Sequence, residues 1–359
     1  MIQPKRLLLN ISRAPSNTEN RLGKVMRLDH NERTTPLPQA VLDAVWKTVS
    51  PEEVVAYPAL ESLYRKLAAS LGVPRECLLL TYGSDTGIRM VFDTYLNEGD
   101  EVVMLDPGYG MFPVYTDMFG GKRVFVKYDA DFSLPVTRII EKINDNTKLV
   151  ILANPNHTGT AMADGDILKV IQVAATHNAL VLVDEAYHYF YEKTMIGQLP
   201  AYDNLIIVRT MSKAFGIAPL RVGYLVSQSA NINNLIKVKL TYDVTTLSAK
   251  FAEYLIDHPS IGLEYVRDVN EGKAYLADEF KKLGAKVFPS VTNFVFVRLP
   301  EGSDAVKLVR ALEARDIWIK GPFKGVPVDG YIRITVGPRA QMAIFMEHVK
   351  ELMGKKHEG

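Results

Sequence analysis

The sequence predicts an α/β protein of two lobes, the larger built on a mostly parallel central sheet flanked by helices, the smaller of α+β type. Three observations carry this. First, the runs EVVMLD, RVFVKY, KLVILANP, ALVLVDEAY, NLIIVRT and VGYLVS are short, rich in Val, Ile and Leu, and do not alternate with polar residues. Strands covered on both faces read this way. Second, helical segments such as ADGDILKVIQVAATHN separate several of the runs, and such alternation is the mark of parallel βαβ units. Third, the texture changes after Ser227, where long helical stretches give way to short strands and helices in alternation.

In chain order, residues 1–37 read as an irregular arm that packs on the smaller lobe, 38–245 as the larger lobe and 246–359 as the smaller one. From Pro38 a helix is expected, with Val41, Leu42, Val45, Trp46 and Val49 on one face. A second amphipathic helix runs through LESLYRKLAASLG, closed by Gly72 and Pro74. Beyond Ser227, one helical stretch spans Ile232 to Asp257 and joins the lobes; another runs from Ile261 to Leu283. Strands NFVFVRL, DIWIK and YIRITVG then alternate with helices SDAVKLVRALEAR and RAQMAIFMEHVKELM.

Composition excludes several classes. The 359 residues carry 42 Lys+Arg against 41 Asp+Glu, a net charge of +1. That balance offers no electrostatic footprint for nucleic acid or an anionic membrane. No segment approaches the ~20 apolar residues of a membrane span, and MIQPKRLLLNISRAP has too short an apolar run for a secretion signal. One cysteine, Cys77, makes no internal disulfide and no zinc site. A reducing cytoplasm is the expected compartment.

In open α/β sheets, ligands bind outside the carboxyl ends of the strands. LLLTY leads into Gly83, Ser84 and Asp85 at the start of an apolar-periodic helix, where free N–H groups suit an anion such as phosphate, or simply need a cap. EVVMLD leads to Tyr109, and KLVILANP to Asn156, a loop amide that equally suits a turn. ALVLV ends in Asp184, a carboxylate that needs a cation or several donors if buried. NLIIV ends in RTMSKAFG, bearing Thr210, Ser212 and Lys213, with Arg221 following. His30, His157 and His188 fall nearby without metal-ligand spacing and read as supporting or surface residues.

Each feature alone is weak. Together they offer an amine, a carboxylate, an aromatic, an amide and an anion site at one sheet edge. Pyridoxal phosphate has an aldehyde, a ring, a ring nitrogen and a phosphate to match. Lysine forms a Schiff base with the aldehyde once its amine is neutral, which burial and nearby cations such as Arg221 favour. The carboxylate keeps the ring nitrogen protonated, so that the ring accepts electrons. Competing motifs are absent: no GxGxxG, GxxxxGK[ST], HExxH or GxSxG occurs.

SKAFGIAPLRVGY resembles the lysine segment of fold-type I pyridoxal-phosphate aminotransferases, VDEAYHYF their aspartate segment and GSDTGI their phosphate loop. LDHNE, the Tyr57–Pro58 pair, PGYGMF, TNFVFVRL and YIRITVG are similar to the histidinol-phosphate aminotransferase branch, and the match runs in order along nearly the whole chain. The resemblance implies that Lys213 holds the cofactor aldehyde and later moves the substrate proton, and that Asp184 pairs with the ring nitrogen. It implies that Tyr109 stacks on the ring, and that Asn156 and Tyr187 bond the 3-oxygen. Ser84, Asp85, Thr210, Ser212 and Arg221 would hold the phosphate, and Tyr57 would reach the phosphate of a neighbouring subunit in a homodimer. Arg333 would grip the substrate carboxylate or its equivalent.

The departures bear on the substrate. NHTG stands where the family has NNPTG, one residue shorter. Thr86 replaces a glutamate of the phosphate loop, and NERTTPLP replaces NENPxGP. Lys320, in IKGPFKGVP, stands where histidinol-phosphate enzymes place an arginine that helps bind substrate phosphate; lysine keeps the charge and loses the planar fork. The expected reaction is amino transfer between an amino-acid-like donor and a keto or aldehyde acceptor, on a substrate other than histidinol phosphate. The alternative is decarboxylation of an amino acid of the phosphoserine or threonine-phosphate type.

Overall fold

The computed structural model describes residues 2–9, 11, 22–134 and 136–354; much of the arm, at 12–21, lies outside them. The strands are β1 (Met26–Arg27), β2 (Leu78–Tyr82), β3 (Glu101–Asp106), β4 (Lys122–Lys127), β5 (Thr147–Ala153), β6 (Leu180–Asp184), β7 (Leu205–Thr210), β8 (Val222–Ser227), β9 (Lys286–Phe288), β10 (Phe294–Arg298), β11 (Ile317–Trp318) and β12 (Ile332–Thr335). The central sheet has seven strands in the order β2-β8-β7-β6-β5-β3-β4. Only β8 runs against the rest, pairing antiparallel with both β2 and β7.

The unbroken apolar runs are explained by two cores. Val181, Val183, Leu205 and Ile207 enter the core on one face, and Leu180, Leu182, Ile206 and Val208 the core on the other. Alternate side chains of one strand point to opposite faces, so every position must be apolar. Burying each contributes about 1.5–3 kcal/mol. β4 departs from the expectation of two-sided cover. It is one of the two sheet edges and is largely exposed, with Phe125 40% accessible.

Helices cover both faces, and a second, antiparallel sheet of order β12-β10-β9 packs with the helices Ser260–Lys282 and Arg339–Gly354. β1 pairs in parallel with β11, and the following Leu28 is fully buried in the second sheet's core. Among the described residues, no helix is long and apolar enough to cross a membrane.

Three local expectations are corrected. The helix after Pro38 spans Gln39–Trp46 and buries Val41 and Val45, but Trp46, at its last turn, is 54% exposed. The single helix expected over 232–257 is two, Ser229–Leu235 and Thr246–Asp257. Lys239 turns extended, its ammonium pairs with the buried carboxylate of Asp243, and Thr245 caps the second helix by accepting from the Ser248 N–H at 3.1 Å. Side-chain bonds of this kind compete with helical pairing. Finally, DIWIK contributes only two strand residues, and Lys320 forms an isolated bridge to Arg333.

Candidate active site

β2, β3, β5, β6 and β7 all end at one sheet edge, and β8 begins there. A cavity of about 230 Å³ opens on that edge, lined by Ser84, Asp85, Tyr109, Asp184, Tyr187, Thr210, Ser212, Lys213 and Arg221 among others. A larger cavity of about 560 Å³ lies elsewhere, between Leu71–Cys77 and Thr194–Pro200; His188 faces it. Its lining is mostly apolar and contains no carboxylate, so the chemistry belongs to the smaller one.

The anion end is built on glycine. The helix Gly83–Tyr95 starts without a side-chain cap, leaving its first N–H groups available. Gly83 is left-handed at φ +72°, and a Cβ there would lie 2.3 Å from the Arg221 guanidinium. Opposite, a Cβ on Gly223 would lie 2.4 Å from the Ser84 nitrogen. The two glycines let helix start, β8 and guanidinium meet. Arg221 itself holds φ +53° and donates to the Ala218 carbonyl at 3.1 Å, an unusual conformation for a side chain of its size. The Thr210 hydroxyl donates to Ser212 Oγ at 2.9 Å and accepts the Ser212 N–H at 3.2 Å, holding both hydroxyls beside this end. Gly223→Ala should therefore destabilise the fold by about 1–3 kcal/mol and weaken binding of a phosphate-bearing ligand; thermal denaturation with and without ligand reads both effects.

Lys213 lines the cavity, its Nζ 3.5 Å from the His30 carbonyl and 5.8 Å from the Tyr187 ring centre. Burial lowers its pKa to about 8, helped by the Arg333 and Arg221 cations and opposed by Glu32 and Asp184. The expected influence of Arg221 is present, but Arg333 is the stronger cation. Asp184 is buried; its carboxylate accepts the Ala186 N–H at 3.0 Å. Burial raises its pKa to about 7, against that hydrogen bond and Lys213. Beneath the cavity, Glu185 accepts from Arg209 Nε at 2.9 Å, the Thr194 hydroxyl at 2.8 Å and the Met195 N–H at 2.7 Å.

The other expected residues divide. The Tyr109 hydroxyl donates to Asp85 at 3.1 Å, and the Tyr187 hydroxyl accepts from Asn31 at 3.0 Å. Arg333 is mostly buried beside the site and donates to the Asp29 carbonyl at 2.9 Å; its Nε is buried without a partner among the described residues. Lys320 does not line this cavity. It lines an adjoining one with Asp29, His30 and Glu313. Tyr57 is 76% exposed and stacks on Tyr242 at 4.1 Å. Asn156 is buried and donates to the Pro107 carbonyl and the Tyr128 hydroxyl; His157 lines the cavity in its stead. Reading His157 and His30 as supporting or surface residues therefore missed two wall residues, and Glu32 is a third. The signal available for His30 and Glu32 was the LDHNE motif itself. Among the described residues, no group of acidic, His or Cys side chains is arranged to hold a metal.

Residues 23–349 match the family model described as aminotransferase class I and II. The chain belongs to this aminotransferase family. A histidinol-phosphate aminotransferase of Thermoanaerobacter sp. (strain X514) is 33% identical over 332 residues, 91% of this chain and 93% of that one. The crystal structure of histidinol-phosphate aminotransferase from Sinorhizobium meliloti, in complex with pyridoxal-5'-phosphate, superposes with a TM-score of 0.86 at 23% identity, over 99% of this chain and 98% of that one. L-threonine-O-3-phosphate decarboxylase from Porphyromonas gingivalis shares the fold at a TM-score of 0.75 and 20% identity, over 91% of this chain and 99% of that one.

Pyridoxal 5'-phosphate is the cofactor of this aminotransferase family, and the cavity fits it. The uncapped helix start beside Arg221 suits a phosphate. Asp184 accepts one backbone N–H and has capacity for a cationic ring nitrogen. Lys213 carries an amine whose pKa permits a neutral fraction near pH 7.

Proposed function

We propose that this aminotransferase moves an amino group between an amino-acid-like donor and a keto or aldehyde acceptor, in the manner of the histidinol-phosphate branch but on a different substrate. The observation that carries the reading is the meeting of Lys213, Asp184 and Arg221 in one cavity.

When bound, pyridoxal phosphate supplies an aldehyde that condenses with amines and a ring that accepts electron density from the substrate Cα. Arg221, the Ser84 and Asp85 N–H groups and the Thr210 and Ser212 hydroxyls hold the phosphate. Asp184 becomes a stable carboxylate once a cationic N–H lies against it, because opposite charge offsets the burial that raises its pKa. Tyr109 would lie against the cofactor ring, and the Tyr187 hydroxyl, which accepts from Asn31, keeps a proton to donate. Lys213 Nζ takes up the proton at the substrate Cα and gives it back, and its lowered pKa suits both directions near neutrality. Arg333 takes the substrate carboxylate through its unspent guanidinium edge. Lys320 reads the far end of the substrate from the adjoining cavity.

In this reading the arm (1–37) and smaller lobe (246–359) close the site against the larger lobe (38–245). The β1–β11 pairing supports it. A homodimer, in which the exposed Tyr57 reaches the neighbouring site, and work in the cytoplasm complete the proposal. Decarboxylation is the second reading. It is favoured by the substrate-side residues that differ from the branch, Lys320 and the shortened loop.

Titrating the bound cofactor with glutamate, histidinol phosphate, phosphoserine and aromatic amino acids tests this. The expected result is that at least one donor bleaches the visible band and yields the aminated cofactor. Carbon dioxide release without a keto acceptor would establish the second reading instead, and no response to any donor would sink both.

A further inference from the structure

Resting on the function proposed above, we infer that His157, and not the neighbouring amide, is the hydrogen-bond donor that faces the cofactor's 3-oxygen in this chain. The amide is spent. Asn156 Nδ2 donates to the Pro107 carbonyl at 3.0 Å and to the Tyr128 hydroxyl at 2.6 Å. A primary amide has two N–H groups, so none is left. Its free Oδ1 is an acceptor, which has nothing to offer an ionised oxygen.

The shortened loop sets this arrangement. The Asn156 N–H donates to the Thr160 carbonyl at 2.8 Å and the Gly159 N–H to the Asn156 carbonyl at 2.8 Å. Gly159 holds φ +86°, which lets Ser290 approach to where a Cβ would lie 2.5 Å from its Oγ. The Val291 N–H fixes the turn from outside at 3.0 Å. The tight turn directs Asn156 inward and leaves His157 on the cavity wall.

The histidine ring has the right attitude. It lies 22° from parallel to Tyr109 at a centroid distance of 5.3 Å, and edge-on to Tyr187 at 6.1 Å. With ordinary face-to-face contact, that distance means a sideways offset of about 4 Å. The imidazole edge therefore runs along the layer in which a ring lying on Tyr109 would sit. Nδ1 is buried and has no partner among the described residues. Burial, then the Arg333 and Lys213 cations, push the His157 pKa down to about 3. The ring is neutral at working pH, with one N–H, and an anionic oxygen selects the tautomer that presents it.

Donation to the 3-oxygen makes that oxygen a poorer base for the proton it shares with the lysine-bound cofactor nitrogen. Removing the donor raises the pH at which the visible band changes. The charged groups that line the cavity with it, Glu32, Asp85, Asp184, Lys213 and Arg221, and Arg333 beside it, are common to all the variants below. With the reconstituted enzyme, His157→Phe, which keeps a ring but no N–H, and His157→Ala should raise the spectral midpoint by about one pH unit, the size expected for one hydrogen bond. Both should weaken pyridoxal phosphate binding several-fold. His157→Asn, which restores an N–H, should return the midpoint most of the way. Asn156→Ala should lower Tm while leaving the midpoint in place. A midpoint that moves in Asn156→Ala and stays in His157→Phe would overturn the inference. If wild type forms no visible band with the cofactor, the function proposed above fails instead.

Discussion

Lys213→Ala is expected to remove the cofactor's visible band and lower kcat/KM by at least about 10⁴-fold, since nucleophile and proton carrier are lost together. The protein should remain folded. Among the described residues Lys213 makes one long hydrogen bond, to the His30 carbonyl at 3.5 Å, and lies 5.8 Å from the Tyr187 ring centre, and its amine is destabilised by burial. Removing such a group relieves the apo fold, so the Tm of the apoprotein should stay level or rise while activity vanishes. A variant that kept its turnover, or lost it together with its fold, would break the assignment.

Asp184→Ala should cost on the order of 10³-fold in kcat, the scale of losing a fixed charge that stabilises the reacting system. The apoprotein gives an independent check. Burial raises the folded pKa of Asp184 to about 7, above the ordinary ~3.9. The folded state then binds the proton more tightly than the unfolded one. That contribution is full below about pH 4 and is lost as pH rises through about 7. Thermal denaturation of the apo forms should show this fall in wild type, and a flatter curve in Asp184→Ala. Equal slopes would remove the burial argument, whatever the activity did.

Much of the site was legible because its chemistry sits where runs of uniform residues end. β6 is apolar up to Asp184 and β7 up to Arg209, so a carboxylate at Asp184 and hydroxyls and an amine from Thr210 to Lys213 stand out against them. The division between Asn156 and His157 was not legible. A one-residue deletion can be absorbed on either side of the turn, and the Pro107 carbonyl and Tyr128 hydroxyl, distant in sequence, decide which side. The break at 239–245 was hidden for a similar reason. Apolar spacing continues through it, while the Lys239–Asp243 pair and the Thr245 cap are local polar choices that periodicity does not register. β4 reads like its neighbours, and only the strand order makes it an edge.

The buried Arg209–Glu185 pair bears on how such a protein can change over time. Glu185 follows Asp184, and Arg209 precedes Thr210, so one ion pair ties together the two strand ends that carry the proton chemistry and the phosphate hydroxyls. Losing either partner strands a buried charge, at roughly 3–5 kcal/mol, and that part of the molecule has little room to drift. Lys320, bridged to Arg333 of the second sheet, makes no bond to that pair among the described residues. Mutations there can alter what is recognised without loosening what reacts. New substrates can be tried on one wall while the opposite wall, and the reaction it supports, is inherited intact.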